Sequence, residues 1–174
     1  HRLGGRRIIK KVPDLKLENG VALLAPGWHH LVNPASVTAG IAENCTSNGG
    51  QWIQDRVTEV TAGASAINLE TESGRRIEAE QLVIAAGAWS NFLAGQLDNK
   101  VPLVAERGYH SQIRNPGVEL KHPLISLSHH FVMTPLDEGL RLAGTAEFAA
   151  LDAKPDYRRA RVLLKQAAHY LDGI

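Results

Sequence analysis

The stretch Leu82-Val-Ile-Ala-Ala-Gly-Ala-Trp-Ser90 decides how this sequence is read. Together with Gln81 it begins as an unbroken apolar run of strand length, the pattern of a strand buried on both faces of a mostly parallel sheet. It ends on Ala85-Ala-Gly-Ala88, where the side chains are small. A small-residue tip lets a ligand approach the backbone, and in open α/β sheets nucleotides bind at the carboxyl ends of strands. Tight packing at a strand–helix turn accounts for the same residues equally well, so the tip by itself leaves both readings open.

Working outward, Asn33 before Pro34 is the cap-and-first-position pairing that opens helices. Val37, Ile41, Ala42 and Cys45 recur at helical spacing until Gly49-Gly50, which predicts a helix from Pro34 to about Asn48. Upstream, Val21–Ala25 reads as a buried strand or a turn of helix closed by Pro26-Gly27. Downstream, Gln51–Gln54, Arg56–Val60 and Ala66–Thr71 alternate or are β-branched, and Arg75–Ala79 pairs back across Ser73-Gly74. Ser90 is placed to cap a short helix through Leu97. From Val101 the chain is strand-rich: Val101–Ile113, Leu124–Thr134 and Leu140–Glu147, the last two joined across Pro135–Gly139. After Pro155 a final helix is expected to bury Tyr157, Ala160, Leu164, Ala167, Ala168 and Leu171. The fold class expected is α+β (mixed α/β), with an antiparallel-rich sheet flanked by helices.

Length and composition narrow the function. The chain has 174 residues, 44% hydrophobic and 21% charged, enough for a sizeable core. No apolar run reaches the ~20 residues of a membrane-spanning helix. A net charge of +1 argues against a dedicated nucleic-acid binder. Arg2, Arg6, Arg7, Lys10 and Lys11 crowd the first residues, a solvated end or a contact for phosphate or anionic lipid. The chain opens at His1 with no initiator methionine and no signal-peptide pattern, and is read as a piece of a longer protein.

The eight histidines raise a metal site, but His29-His30 and His129-His130 are adjacent pairs, and neighbours on a strand point to opposite faces. No metal is expected. Cys45 is the single cysteine and lies on the apolar face of the first helix, where it behaves as a small hydrophobe. No Gly-x-Ser-x-Gly elbow marks a serine hydrolase.

Residues Pro34 to Leu171 resemble the D-amino-acid oxidase/dehydrogenase family of FAD-dependent oxidoreductases, which includes glycine and sarcosine oxidases. The segment His30–Gly50 resembles the family's proline-started helix and its following glycine. Gln51–Val60 resembles the strand whose backbone faces the adenine, and Ala79–Ser90 the segment beside the flavin nucleotide. Val101–Ile113 resembles the strand that enters the substrate domain, and His129–Leu164 the substrate-domain hairpin and the helix after it. Two family segments are not in the sequence: the N-terminal Gly-x-Gly-x-x-Gly and the C-terminal Gly-x-Arg-Pro.

The resemblance implies a central piece of a flavoenzyme. Residues 1–33 would open the substrate domain, 34–100 form part of the FAD-binding region, and 101–174 complete the substrate-binding domain. Val57 would offer backbone hydrogen bonds to adenine, and Ala86, Gly87 and Trp89 would line the flavin nucleotide. Tyr109 and His110 would edge the substrate pocket, and Arg141, with Arg107 and Arg114 as alternates, would hold the substrate carboxylate. The implied reaction oxidises an amino acid, a D-amino acid or similar, to an imino acid and then a keto acid, with hydride passing to FAD. No catalytic residue is assigned. The isolated piece is expected to hold FAD poorly, to be inactive, and to self-associate through unpaired sheet edges. The expected location is the cytoplasm, with a peripheral place at the inner membrane as a variant. Alternative readings are an oxidase of N-methyl amines, an enzyme of 2-hydroxy acids, and a non-catalytic module that binds a partner.

Overall fold

A computed structural model of the chain describes residues 2–4, 8, 10, 12–16 and 21–174. Most of the basic N-terminal cluster lies outside the described residues. The architecture is mixed α/β, and every strand pair given a register is antiparallel. In chain order the elements are β1 (Arg2–Gly4), β2 (Val21–Leu23), α1 (Pro34–Ser47), β3 (Val57–Ala62), β4 (Ile67–Thr71), β5 (Arg76–Ala79), a 3-10 turn (Gly87–Trp89) and α2 (Ser90–Gly95). They continue with β6 (Glu106–Ile113), β7 (Leu124–Ser126), β8 (Phe131–Leu136), β9 (Gly139–Phe148) and α3 (Arg158–Ala167). No helix among the described residues is long and apolar enough to cross a membrane.

The chain divides into two compact units. One comprises His1–Gly40, Glu106–Glu147 and Ala153–Ile174; the other comprises Ile41–Ala105 and Phe148–Asp152.

The first unit is built on a sheet of order β6-β9-β8-β7. Phe131 and Met133 of β8 and Leu140 and Leu142 of β9 point to one face, where α3 covers them with Leu163 and Ala167. Leu120, Leu171 and Val12 close the core. The stripe that α3 buries is therefore Leu163, Ala167 and, just beyond the helix, Leu171. Tyr157 and Leu164, expected on the buried face, are exposed, because the covering face is rotated toward Leu163. The expected strand Leu124–Thr134 is two strands. Ser126 ends β7 and the chain turns through His130, which has φ of 52°, before β8 pairs back on β7 through Leu124↔Met133 and Ser126↔Phe131.

Face parity along β9 changes once. Leu140 and Leu142 face the core, whereas Thr145 and Glu147 face α3 residues. The slip of one residue falls at Ala143-Gly144, and Gly144 is pressed against β8 there. A Cβ on Gly144 would lie 2.5 Å from the His130 carbonyl oxygen and 2.6 Å from the Phe131 Cα.

In the second unit β3, β4 and β5 form a meander through Val60↔Leu69 and Leu69↔Ile77, as the turn signals at Gly63 and Ser73-Gly74 predict. Helix α1 starts where Asn33 allows it: the Ser36 N–H donates to Asn33 Oδ1 at 3.0 Å. Its expected burial does not occur. No α1 residue is buried, Ile41 is 67% exposed and Cys45 is exposed, because nothing among the described residues packs on that stripe. Val21 and Leu23 of β2 are exposed for the same reason, and Gln51–Gln54 forms no strand.

The run Gln81–Ala86 belongs to no strand and pairs with none among the described residues. Leu82, Ile84 and Ala86 are half-buried while Val83 is 86% exposed. A strand buried on both faces needs ladder neighbours and a layer on each side, and here only one side has a layer. At the next helix the expected cap is also corrected: Trp89 holds the cap position without a side-chain bond, and Ser90 is the first helical residue.

Candidate functional site

Two sets of residues singled out by sequence need placing, one in each unit. In the second unit the apolar run ends in the 3-10 turn Gly87–Trp89. Gly87 takes φ of 55°, a left-handed conformation that costs an L side chain ~1–2 kcal/mol. Nothing lies within 4 Å of where a Gly87 Cβ would be. Among the described residues the small tip is therefore open and not plugged by bulky groups. A cradle with an exposed backbone and small flanking side chains fits the close approach of a dinucleotide.

The tip separates two apolar clefts within this unit. Val57 and Ala86 line one, of ≈ 240 Å³, with Val60, Leu69, Ile84 and Leu93. Trp89 lines the other, of ≈ 570 Å³, with Ala88, Phe92, Val104 and Phe148. The structure thus brings Val57 and Ala86 together and puts Trp89 on the other side of Gly87.

The edge of β3 beside this site is partly sealed. The Val60 N–H donates to Gln96 Oε1 at 2.8 Å, and Gln96 Nε2 donates to the Thr58 carbonyl at 3.2 Å. One side-chain amide thus occupies a donor and an acceptor as a neighbouring strand would. Just ahead of β3, Asp55 accepts from Ser73 Oγ at 2.5 Å and from the Arg56 N–H at 2.8 Å. The hydroxyls of Ser73 and Thr71, and then the Arg56 amide, hold its carboxyl down to about 2 from an ordinary 3.8.

In the first unit the sheet faces divide the remaining candidates. Tyr109 is buried on the α3 side. Its hydroxyl donates to Glu147 Oε1 at 2.5 Å and accepts the Asp156 N–H at 2.8 Å, and its ring meets Tyr157 edge-on at 6.5 Å. Glu147 also receives Arg107 Nη1 at 3.2 Å and Arg159 Nε at 3.4 Å. Arg107 is pushed further into its charged form by the side-chain hydrogen bond with Tyr109 first, and also by Glu147. Asp156, gripped by Arg158, is held below the usual carboxylate range. Tyr109 is thus a buried anchor and not an exposed strand position, and Arg107 is committed to Glu147.

His110 and Arg141 lie on the opposite face. Ser111 on β6 donates to the Ala160 carbonyl of α3, and Leu140 and Leu142 on β9 enter the core, so the residues alternating with them face away from α3. Arg141 is exposed, pairs in register with Thr134, and makes no side-chain hydrogen bond or ion pair among the described residues. Arg114 is likewise exposed, just past the end of β6.

Other titratable groups are used locally. The His30 ring bonds the Pro135 carbonyl at 3.0 Å, and His129 Nδ1 meets Tyr170 Oη at 2.5 Å. Among the described residues no three His, Cys, Asp or Glu side chains converge on a metal-sized site.

Sequence reasoning missed Glu147, Gln96 and Gly144. Glu147 reads as a strand-end charge, and only the parity slip at Gly144 turns it toward Arg107. A glycine inside the Leu140–Glu147 run was the available signal for that slip.

Comparison with known proteins places the chain in context. The family model described as "FAD dependent oxidoreductase" matches residues 1–174. A D-amino-acid oxidase from Bradyrhizobium diazoefficiens is 29% identical over 155 residues, which is 88% of this chain and 37% of that protein. A D-amino acid dehydrogenase from Paramagnetospirillum magneticum is 35% identical over 111 residues, 60% of this chain and 25% of that protein. A glycine oxidase from Bacillus cereus superposes with a TM-score of 0.76 at 22% identity, over 98% of this chain and 48% of that one. The chain therefore spans about a quarter to a half of these relatives.

Proposed function

The chain belongs to the DAO family of FAD-dependent oxidoreductases, and on that premise we propose that the full-length protein oxidises an amino acid, a D-amino acid or similar, to its imino acid, which water converts to the keto acid. The observation that carries the substrate assignment is Arg141. It is an exposed guanidinium with no partner among the described residues, set on the sheet face away from α3 and beside a half-buried Thr134. A guanidinium fork matches a carboxylate in bidentate fashion, and Arg keeps its charge at any working pH. His110 shares that face and is proposed to edge the site. Tyr109 is proposed to position β6 from the other side, because its hydroxyl is already engaged by Glu147 and Asp156.

FAD, when bound, supplies the two-electron acceptor for the hydride leaving the substrate α-carbon. Ala86, Gly87 and Trp89 are the residues proposed to lie against its flavin nucleotide, with Val57 toward the adenine. The open, left-handed Gly87 supports this set. Residues 34–100 are proposed to belong to the FAD-binding region, and 1–33 with 101–174 to the substrate-binding domain.

The exposed apolar stripes on α1 and around Val83 are proposed to be covered by parts of the full-length protein, and the 174 residues alone to hold FAD weakly and to be inactive. A cytoplasmic location, peripheral to the inner membrane, belongs to the same proposal and is supported by the basic residues at the N-terminal end.

The test uses the full-length protein loaded with FAD. Anaerobic bleaching of the flavin absorbance is followed with D-amino acids, N-methylglycine and 2-hydroxy acids in parallel. Bleaching by D-amino acids is expected, with Arg141→Ala raising KM at least tenfold. Bleaching by 2-hydroxy acids alone, or an unchanged KM in Arg141→Ala, overturns the assignment.

A further inference from the structure

We infer that the outer face of α3 is a docking surface for an anionic lipid bilayer, with Arg161 and Lys165 as its contact cations. The inference rests on the reading of the full-length protein as peripheral to a membrane, and it gives that contact a defined face of the fold.

Charge on this helix is one-sided. From Tyr157 to Leu171 the chain holds no Asp or Glu, but it holds Arg158, Arg159, Arg161, Lys165 and His169. Leu163 and Ala167 turn one side of α3 into the core. At about 100° per residue, Arg158, Arg161 and Lys165 fall on the opposite side, spaced i, i+3 and i+7, and all three are exposed. Two cations of the helix are already committed: Arg159 to Glu147 and the Ala146 carbonyl, and Arg158 to Asp156. Arg161 and Lys165 make no side-chain hydrogen bond or ion pair among the described residues.

The described part of the N-terminal segment is stitched to the end of this helix. The Lys16 N–H donates to the Tyr170 carbonyl at 2.7 Å, its Nζ donates to the Ala168 carbonyl at 3.4 Å, and Leu15 bridges Leu171. Lys16 also pairs with Asp172 at 2.6 Å, which leaves Asp172 engaged and Arg161 and Lys165 uncompensated. Apolar side chains border these two cations: Val162 on one flank, Tyr157 and Leu164 on the other, all exposed. A helix lying on a bilayer has this layout, with cations at the headgroup phosphates and apolar flanks directed toward the acyl boundary. A helix ridge offers a protein partner no cleft to fill, whereas anionic lipids diffuse to wherever the cations stand. The bilayer is therefore the occupant that the charge and the shape of the face favour.

The test is co-sedimentation of the FAD-loaded full-length protein with vesicles of phosphatidylcholine alone or of equal parts phosphatidylcholine and phosphatidylglycerol. Binding to the mixed vesicles only is expected, weakening as salt is added. The double variant Arg161→Glu/Lys165→Glu is expected to bind them roughly tenfold or more weakly, since each basic residue near an anionic surface contributes separately. Its kcat and KM with a soluble electron acceptor are expected to match the parent's, and retained flavin absorbance checks that it folds. Arg75→Glu/Arg76→Glu makes the same change of net charge on an exposed turn of the other unit and is expected to bind as the parent does. If the parent binds mixed vesicles but the α3 variant binds equally well, or the Arg75/Arg76 variant loses as much, the α3 face is overturned and the peripheral reading stands. If soluble polyglutamate is held as tightly as the vesicles, with the same loss in the α3 variant, an acidic protein replaces the bilayer and the inference is overturned. If the parent binds neither vesicle, the peripheral reading itself is wrong and the α3 face falls with it.

Discussion

Gly87 and Gly74 form a matched pair that isolates the role of the small-residue tip. Both take positive φ, 55° and 81°, and neither would place a Cβ within 4 Å of another heavy atom. Alanine at either position meets the same backbone cost and no clash inside the chain. A left-handed conformation costs an L residue ~1–2 kcal/mol, of which the stiffer unfolded chain offsets a few tenths to ~1 kcal/mol. The net loss at each site is about 1 kcal/mol, a fall in Tm of roughly 2–4 °C for a protein of this size or somewhat larger. What distinguishes the two is only what approaches from outside. Gly74 closes the β4–β5 turn, while Gly87 ends the run that leads to the proposed flavin cradle. In the full-length protein Gly74→Ala is expected to leave the FAD dissociation constant within about twofold of the parent. Gly87→Ala is expected to raise it by at least tenfold, roughly 1.4 kcal/mol of binding beyond the shared folding cost. Fluorescence titration of the apoprotein with FAD gives both constants, and calorimetry gives both Tm values. Equal FAD affinity in the two variants, at equal Tm, would refute the claim that the tip is small for the sake of a ligand.

Gly144→Ala is expected to behave in the opposite way. Its Cβ would sit 2.5–2.7 Å from His130 and Phe131 backbone and side-chain atoms, so β8 and β9 must part, at ~1–3 kcal/mol or more by denaturant unfolding, and a loss under 0.5 kcal/mol would contradict the packing. Gln96→Leu frees the Val60 N–H and the Thr58 carbonyl on the β3 edge, and light scattering across a concentration series is expected to show stronger association than in the parent. The Asp55 carboxyl, observed by NMR, is expected to titrate near 2 and to move back toward 3.8 in Ser73→Ala. Because its folded value lies below the ordinary one, its stabilising effect is fully present above pH 3.8 and is lost as the pH falls through about 2. A midpoint in Ser73→Ala equal to the parent's would remove the Ser73 hydroxyl as the cause.

How much of this was legible in the sequence depends on the range of the interactions involved. Local signals carried through: Asn33-Pro34 opens α1, Gly63 and Ser73-Gly74 turn the β3–β5 meander, and Pro135–Gly139 spans the β8–β9 connection. Burial did not carry through where the partner layer is absent among the described residues. Ile41 and Cys45 have the spacing of a buried stripe, and Val83 the company of a buried strand, yet all three are exposed. Periodicity reports which side chains share a face, and it is silent on whether anything packs there.

The candidate site shows the same division more sharply. Tyr109, His110 and Arg141 are grouped by the family resemblance, the arginine because a guanidinium matches a carboxylate. Alternation on β6 puts Tyr109 and His110 on opposite faces whatever the fold, and that much was available from sequence. Which face Glu147 takes was not, because β9 slips by one residue at Gly144. Read at strict alternation from Leu140 and Leu142, Glu147 would share the face of Arg141, roughly 20 Å further along the strand. The slip turns Glu147 to the α3 side, where it ties Arg107, Arg159 and Tyr109 together. One glycine too crowded to accept a side chain thus separates the anion that holds the sheet's end from the cation proposed to hold the substrate. Gly144→Ala should therefore damage more than local packing: in any variant that folds with the strand realigned, Glu147 no longer meets Arg107 and Tyr109, and adding Glu147→Gln is expected to cost no further stability by denaturant unfolding.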